Sequence, residues 1–363
     1  MTRIQGVSLS QVRLRFHEPV RFGHGTIASQ DIGILRLSTD DGLVGLGEVP
    51  GPRLPRDVQA AVELAAGTLV GHDPSDAVNE ASGVLGGAIV TAALDVLGQR
   101  EGRSVAYLLG GGRPTVAVNG LLVVGRDAPD SDATRAGMLV AAGYRTIKIK
   151  PAVGTARATV TDCLRAVRAM LGPEVCLRLD LNGDLTERSA IDWLTTLDGL
   201  VLEYVEQPID PSLGVAAMAR VREAIPMPLA ADESVASEVA AEALLDSAAC
   251  DVLVVKPSRV GGPLVSSRIA RMAAAAGVAV TISTLYDSGV GLSAALHVAA
   301  TIPGDRAHGL GTAGLLVSDL IEGGLPIVGG RMALPVRPGL GVTLDPSAMA
   351  SAMAQSTAAA VLA

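Results

Sequence analysis

The stretch Thr146–Pro151, TIKIKP, decides the fold, because it opens a series of short β-rich segments that each end in polar residues. Lysine alternates with isoleucine in it, so Lys148 and Lys150 are predicted to share one face of a strand. The segments that continue the series are RLDLNGD (178–184), EYVEQP (203–208), ADES (231–234) and VVKPSRVGG (254–262). Each places an acid or a lysine where a buried strand is predicted to end.

The spacing of these strand ends is typical of repeated strand–helix units. From residue 150 to 180 is 30 residues, from 180 to 206 and from 206 to 232 is 26, and from 232 to 256 is 24. Parallel strands need helical crossovers of about that length. The β-rich runs are 116–122, 146–150, 176–182, 202–206, 229–232, 252–256, 278–283 and 308–312. We therefore expect an α/β fold, a TIM-like (β/α) barrel of seven or eight units. The rival, a doubly wound sheet, predicts a GxGxxG turn after its first strand, and none follows 116–122.

The chain before the barrel has a different pattern. Residues 3–15 and 31–38 alternate like strands, a turn at 40–42 precedes a third strand, and helical stretches follow at 56–70 and 81–98. We predict an α+β domain at 1–114, the barrel at 115–322, and a C-terminal return at 323–363 that packs on the first domain. Strand-like patches at 332–336 and 341–344 belong to this return.

Lysine is rare in this chain. Of 29 basic residues only Lys148, Lys150 and Lys256 are lysines, so 26 are arginines. Arginine stays protonated in proteins, whereas a buried lysine amine can titrate near neutral pH. All three lysines fall on predicted barrel strands, which favours a chemical role for them over a surface role.

The strand ends together predict a metal site with bases on either side. Barrel enzymes build their sites at the carboxyl ends of the strands. Three acids on neighbouring strands would repel one another without a hard cation between them, and oxygen ligands of this kind suit Mg²⁺, or Mn²⁺ in its place. Such a cation would bind a substrate carboxylate and stabilise the enediolate formed when the alpha proton leaves. Lys150, next to Lys148 and the cation, is expected to have a lowered pKa and to act as base.

The series of motifs resembles the enolase superfamily, and within it the muconate lactonizing enzyme subgroup. The resemblance extends beyond the barrel, to GLVGLGEVP (42–50), AALDVLGQREGRSVAYLLGG (92–111) and PGLGVTLD (338–345). It implies a capping domain made by the N-terminal part with the C-terminal tail, and a homo-oligomer. The roles that it implies are metal ligation by Asp180, Glu206 and Asp232, acid/base catalysis by Lys150 and Lys256, and electrostatic support by Lys148. Asn182, Asp210 and Glu233 are supporting candidates.

The same resemblance narrows the reaction. The mandelate racemase branch uses a histidine from strand seven, and residues 281–284 (TIST) have none; His297 is assigned to helix packing. Dipeptide epimerases carry an Asp-x-Asp near strand eight for the substrate ammonium, and residues 308–314 (HGLGTAG) contain no acid. Asp319 is placed on the next helix.

The segments STLYDSGVG (283–291) and GLGTAGLLVSDL (309–320) are similar to o-succinylbenzoate synthases and N-succinylamino acid racemases, and in like form to cycloisomerases. The substrate is then a small carboxylate. Its predicted contacts are Arg21 and His24 in the loop RFGHGT, together with Asn182, Ser283 and Asp287.

Composition excludes several other classes. The net charge of −8 argues against nucleic acid and anionic membranes, and no apolar window is long enough for a membrane span. The amino terminus has no apolar signal core, and three scattered cysteines fit a reducing compartment, so we expect a cytoplasmic protein. Two rival functions stay open at this point. A Schiff-base lyase would use a strand lysine but leave the acids idle, and a non-catalytic enolase-like protein would be expected to lack a ligand or a lysine.

Overall fold

The computed structural model describes residues 2–22, 25–51, 54, 56–81 and 83–361. An antiparallel sheet opens the chain, in the order β1 (Ile4–Phe22), β2 (Gly25–Thr39) and β3 (Val44–Val49). Its residues alternate between an apolar face and a polar one, as a half-buried antiparallel sheet requires. Val12, Ile32 and Ile34 are among the side chains fully buried on the apolar face.

Helices cover this sheet and complete the capping domain. They are α1 (Val58–Leu69), α2 (Pro74–Glu80), α3 (Gly86–Glu101) and α4 (Val105–Leu108). The strand β3 lies directly against α3 because it has glycine at the points of contact. A Cβ on Gly45 would lie 1.9 Å from the carbonyl oxygen of Ala92, and one on Gly47 would lie 2.1 Å from that of Ala88. This close packing fixes the position of Glu48, the next residue along β3.

The barrel follows within residues 83–361, which are described without a gap. Its sheet has seven parallel strands in the order β11-β10-β9-β8-β7-β6-β5. They are β5 (Gly120–Val124), β6 (Thr146–Pro151), β7 (Cys176–Asp180), β8 (Leu202–Glu206), β9 (Leu229–Ala231), β10 (Val252–Val255) and β11 (Ala279–Ile282). The helices are α5 (Pro129–Ala141), α6 (Arg157–Leu171), α7 (Glu187–Leu194), α8 (Val215–Ala224), α9 (Glu238–Asp246), α10 (Pro257–Val260), α11 (Pro263–Ala275) and α12 (Gly289–Ala299).

The seam between the first and last strands is closed by two residues. Gly309 forms a parallel bridge with Ser283, and His308 forms one with Val118. The imidazole of His308 adds to the closure, since its Nδ1 accepts the backbone N–H of Ile282 at 3.0 Å. The predicted α/β barrel with its capping domain is therefore confirmed, but the eighth strand is reduced to these bridges.

The C-terminal return consists of a small sheet and a long helix. β12 (Ile327–Val328) and β13 (Arg331–Ala333) pair antiparallel with β4 (Thr115–Ala117), and α13 (Pro346–Val361) packs against β1. Between them the backbone N–H of Leu340 donates to the buried carboxylate of Asp95 on α3 at 2.8 Å. The domain boundaries given above stay a prediction.

Several predicted elements were wrong in detail. The run 116–122 is not one strand, because Thr115–Ala117 pairs with β13 and the barrel strand begins only at Gly120. Residues 308–312 form no strand, since the His308 side chain replaces a backbone partner at the seam. Residues 341–344 are irregular apart from a bridge of Leu344 to Ile321, and Asp319 lies in an irregular segment rather than on a helix.

The lower part of the barrel interior holds a buried charge network. The Arg178 side chain on β7 is fully buried; its Nε donates to Glu203 Oε2 at 2.7 Å and its Nη1 to Asn119 Oδ1 at 3.2 Å. Its guanidinium lies 4.7 Å from the centre of the Tyr204 ring, and Arg306 also pairs with Glu203. Arginine is thus satisfied by partners beneath the strand ends. No helix among the described residues is long and apolar enough to cross a bilayer.

Candidate active site

Six side chains from five adjacent barrel strands meet at the carboxyl ends of those strands. We call them the acid–lysine cluster, and they are Lys148, Lys150, Asp180, Glu206, Asp232 and Lys256. The parallel register sets Asp180 directly beside Glu206. Interior and exterior side chains alternate along each strand, so an inward residue at the strand end lies at the mouth of the barrel. The three carboxylates are almost fully buried, at 3%, 1% and 1% exposure.

One half of the acid–lysine cluster is organised around Lys148. Its Nζ lies 2.7 Å from Glu206 Oε1 and 3.0 Å from Asp180 Oδ2. Lys150, two residues along the same face of β6, lies farther out, with its Nζ 3.8 Å from Asp180 Oδ2. Lys148 therefore balances the charge of two acids, while Lys150 has the weaker ionic contact.

The other half is organised around Asp232, across the barrel mouth. Lys256 Nζ lies 2.6 Å from Asp232 Oδ2, and Arg259 Nη1 donates to Asp232 Oδ1 and to its backbone carbonyl, both at 2.8 Å. Arg259 was missed by the sequence analysis. The signal for it was its place three residues after Lys256, one turn along the short helix α10.

Burial and opposite charges act against each other in the acid–lysine cluster. Burial would lower the pKa of Lys148, but the carboxylates of Asp180 and Glu206 raise it well above its usual value. Burial raises the pKa of Glu206 to about 8, although Lys148 acts in the opposite direction. Burial would also raise the pKa values of Asp180 and Asp232, but Lys148 in the first case and Lys256 in the second hold them below the usual range. Lys148 is accordingly a permanent positive charge.

The donor set fits a hard divalent cation. Three buried carboxylates on consecutive strands are oxygen ligands of the kind that Mg²⁺ binds. Next to them Asn182 Nδ2 donates to Glu233 Oε1 at 3.1 Å, while Asn182 Oδ1 and Glu233 Oε2 are buried with no hydrogen-bond partner. As the side chains stand, no three acidic, histidine or cysteine groups among the described residues are close enough together to hold a metal ion. Lys148 and Lys256 occupy carboxylate oxygens that a cation would take.

Gln207 holds the ends of β8 and β9 in position. Its Oε1 accepts the backbone N–H groups of Asp232 and Ser234, and its Nε2 donates to the Ile209 carbonyl. Gln207 and Asn182 both have positive φ, 40° and 47°. Non-glycine residues rarely adopt this conformation and it is concentrated at functional sites.

The predicted substrate contacts do not all meet the acid–lysine cluster. Asn182 lies beside it, through its backbone N–H to Asp180 Oδ1 at 3.0 Å. Ser283 is buried at the end of β11, where its hydroxyl donates to the Gly309 carbonyl at 3.2 Å. His24 lies outside the described residues, and for Arg21 only the backbone is described.

Asp287 lies at a buried seam between the barrel and the capping domain. Both of its oxygens lie 3.1 Å from the Ser258 hydroxyl, and its carboxylate lies near that of Glu48. Glu48 accepts the backbone N–H groups of Ser288 and Gly291 at the start of α12. Burial and the neighbouring Asp287 raise the pKa of Glu48 to about 8, and burial raises that of Asp287 to about 6. Asp287 therefore contacts the capping domain rather than the carboxylates of the acid–lysine cluster.

His297 has a packing role, as the sequence analysis assigned it. It is fully buried in α12, its Nδ1 accepts the backbone N–H of Ala106 at 3.1 Å, and its Nε2 lies 3.2 Å from the Leu340 carbonyl. Burial lowers its pKa to about 4. It is a neutral link between the barrel, α4 and the C-terminal return.

Two family models match this chain over most of its length. The enolase C-terminal domain-like model matches residues 131–348, and the mandelate racemase/muconate lactonizing enzyme N-terminal domain model matches residues 4–110. The chain belongs to the enolase superfamily. The predicted resemblance to the muconate lactonizing enzyme subgroup is confirmed, and this enolase-superfamily chain is an enzyme.

Curated relatives of this enolase-superfamily chain include isomerases of several kinds. A chloromuconate cycloisomerase of Cupriavidus necator is 30% identical over 94% of this chain and 97% of its own length. An N-succinyl-L-Arg/Lys racemase of Bacillus cereus is 26% identical over 82% of this chain and 84% of its own length.

Solved structures agree with these relatives. The muconate lactonizing enzyme of Pseudomonas fluorescens, complexed with muconolactone, superposes with a TM-score of 0.85 at 25% identity, over 97% of this chain and 99% of that one. A dipeptide epimerase of Enterococcus faecalis V583, complexed with Mg and the dipeptide L-Leu-L-Tyr, gives 0.82 at 25% identity, over 94% and 99%. The fold is thus shared over nearly the whole length of each protein.

Proposed function

We propose that this enzyme abstracts the proton alpha to a substrate carboxylate with the help of Mg²⁺, in racemisation of N-succinylamino acids, o-succinylbenzoate synthase-type dehydration, or both. The observation that carries the proposal is the placement of the lysines. Lys150 is on β6 and Lys256 follows β10, four strands away in the sheet order, so the two amines approach from opposite sides of the mouth. A carbon held between them has one amine on each face.

In the proposed mechanism Asp180, Glu206 and Asp232 would hold Mg²⁺, which would supply positive charge beside the substrate carboxylate. The neutral amine of Lys150 takes the alpha proton, and the electron pair of the C–H bond moves onto the carboxylate. For racemisation, the ammonium of Lys256 returns a proton to the opposite face. For dehydration, the proton held by Lys150 leaves with the departing hydroxide as water. Lys148 stays charged and disfavours a second charge on its neighbour Lys150.

The end of the closing segment supports an N-acylated substrate. Residues 308–314 line this edge without a carboxylate, and they all lie in the described part of the chain. A free substrate ammonium would need an acid there to balance its charge once it is desolvated. An N-succinyl group removes the ammonium and needs no such partner.

The decisive experiment follows alpha-proton exchange by NMR in D₂O with N-succinyl-L-phenylalanine and Mg²⁺. We expect exchange and racemisation by the wild type, and loss of both with EDTA. Lys150→Met and Lys256→Met should each lower racemisation by about 10²–10⁴-fold, the range for a general base. Each single variant should still exchange the proton from one face, because the other amine is intact.

The matched control is Arg188→Met, which removes an exposed cation of α7 that lies 3.4 Å from Asp192. It should leave exchange unchanged. Exchange that survives in Lys150→Met/Lys256→Met, or that does not respond to EDTA, would refute the two-base proposal. Dehydration is tested in parallel with 2-succinyl-6-hydroxy-2,4-cyclohexadiene-1-carboxylate.

A cycloisomerase is the second candidate, favoured by the 30% identity to a chloromuconate cycloisomerase. Lactone formation from cis,cis-muconate, without exchange of N-succinylamino acids, would select it. Reductive trapping of a lysine by borohydride with a carbonyl substrate would instead indicate a Schiff-base lyase.

A further inference from the structure

Tyr286 lies in the loop between β11 and α12 and has an unusual backbone. Its φ is +62°, in the left-handed region that a bulky side chain rarely adopts. The residues beside it are the buried Asp287 and Leu285, so glycine is not used where the conformation would favour it. Strain of this kind persists only where the surroundings impose it, and it is concentrated at functional sites.

The capping domain supplies part of that constraint. Gln30 on β2 donates through Nε2 to the Tyr286 carbonyl at 2.8 Å, and its distance to the Leu285 carbonyl is 3.4 Å. The Tyr286 ring packs edge-on against Phe16 on β1, with ring centres 5.5 Å apart and an angle of 80° between the planes. In a chain with two phenylalanines, four tyrosines and one tryptophan, this pair lies at the junction of capping domain and barrel.

The phenol end of Tyr286 is within range of the acid–lysine cluster. Burial raises the pKa of Tyr286, Lys256 and Lys148 lower it, and the carboxylates of Asp180 and Asp232 raise it. These four groups come from both halves of the cluster. A hydroxyl that responds to all of them lies over the middle of the barrel mouth, on the side of the capping domain.

We infer that Tyr286 is a catalytic residue whose hydroxyl donates a hydrogen bond to an oxygen of the substrate carboxylate. The inference rests on the proposed function, because that oxygen gains charge as the alpha proton leaves. A phenol is a neutral donor, so it can strengthen its hydrogen bond to the developing charge without adding a fixed charge to the cluster. Its ring, held by Phe16 and Gln30, is positioned before the substrate arrives.

The test replaces Tyr286 by phenylalanine, which removes the hydroxyl and keeps the ring and its edge contact. The expected result with N-succinyl-L-phenylalanine and Mg²⁺ is a fall of about 10²-fold in kcat for proton exchange, the loss typical of one oxyanion donor. KM should change much less, because the bond strengthens as charge develops. Tyr107→Phe is the matched control, since Tyr107 is 56% exposed and stacks with Arg103 on the capping domain.

A second readout does not depend on turnover. In protein labelled with 3-fluorotyrosine the four tyrosines give four ¹⁹F signals, and that of Tyr286 is assigned by its absence from the variant. Titration with Mg²⁺ and succinate, a dicarboxylate probe, should shift the Tyr286 signal and leave the Tyr107 signal in place.

An unmoved Tyr286 signal, or kcat within about twofold of wild type, would overturn the inference. So would an equal loss of activity together with a lowered Tm and an unmoved signal, which would mean a structural role. If the wild type exchanges no N-succinylamino acid, the proposed function fails on that substrate, and the ¹⁹F titration still decides the place of Tyr286.

Discussion

Replacing Lys148 by methionine should make the stability of this enzyme depend on a divalent cation. The lysine balances Glu206 at 2.7 Å and Asp180 at 3.0 Å, and both carboxylates are at least 97% buried. Breaking a buried ion pair by removing one partner costs about 3–5 kcal/mol, since a charge is left without compensation. Glu206 can take up a proton and limit that cost, so we expect about 3 kcal/mol at pH 8 in EDTA.

The assay is urea unfolding with and without Mg²⁺. A ligand that binds only the folded state at 100 times its Kd adds about 2.7 kcal/mol. Because no ammonium competes for the same oxygens in Lys148→Met, Mg²⁺ should stabilise this variant more than the wild type and restore most of the loss. Arg188→Met, which removes an exposed ion pair with Asp192, should cost less than about 1 kcal/mol and show the wild-type response to Mg²⁺.

Two results would refute this reasoning. One is a Lys148→Met variant within about 1 kcal/mol of the wild type in EDTA, which would mean that the buried acids do not need the lysine. The other is an equal gain from Mg²⁺ in both proteins, which would place the cation away from Asp180 and Glu206.

Two further predictions concern the capping domain. Gly47→Ala should destabilise the protein by about 1–3 kcal/mol or more in urea unfolding, because the new Cβ would lie 2.1 Å from the Ala88 carbonyl oxygen. Gly67→Ala, in α1 with open space around it, should instead stabilise it by about 0.5–1 kcal/mol, and equal effects would contradict the steric argument. Glu48 has a folded-state pKa of about 8 against an ordinary 4.5, so the folded protein keeps a proton that the unfolded chain releases between these values. Its contribution to stability is therefore lost as the pH rises from about 4.5 to about 8, by at most about 1.4 kcal/mol per pH unit. Glu48→Gln should remove that slope from unfolding curves at pH 6, 7 and 8, and an unchanged slope would count against the assignment.

The sequence predicted the barrel strands well where two signals coincided. In TIKIKP the alternation of lysine and isoleucine gives the strand, and the lysines mark its inward face at the carboxyl end. The same holds for Asp180, Glu206 and Asp232, each at the end of an apolar run. These positions depend on local patterns, so one sequence was sufficient to bring them to the same edge of the sheet.

Other features depend on contacts between distant residues. The eighth strand is replaced by an imidazole that accepts a backbone N–H from β11, and the apolar character of 308–312 does not reveal this. Asp287 appeared to belong with the substrate, but its partner is Glu48 in the capping domain, about 240 residues earlier in the chain. The long hairpin of β1 and β2 was also underestimated, since a register shift between Arg15 and Val20 interrupts its alternation.

The rarity of lysine turns the barrel mouth into a natural spectroscopic handle. All three ε-amines of the chain lie within 4 Å of a carboxylate of the acid–lysine cluster, and their side chains are only 11–14% exposed. Reductive methylation with ¹³C-formaldehyde would thus place isotope on these three amines and the chain terminus, and on no surface lysine. The resulting NMR spectrum would report the protonation of each candidate base directly, without mutation, as cation and substrate are added.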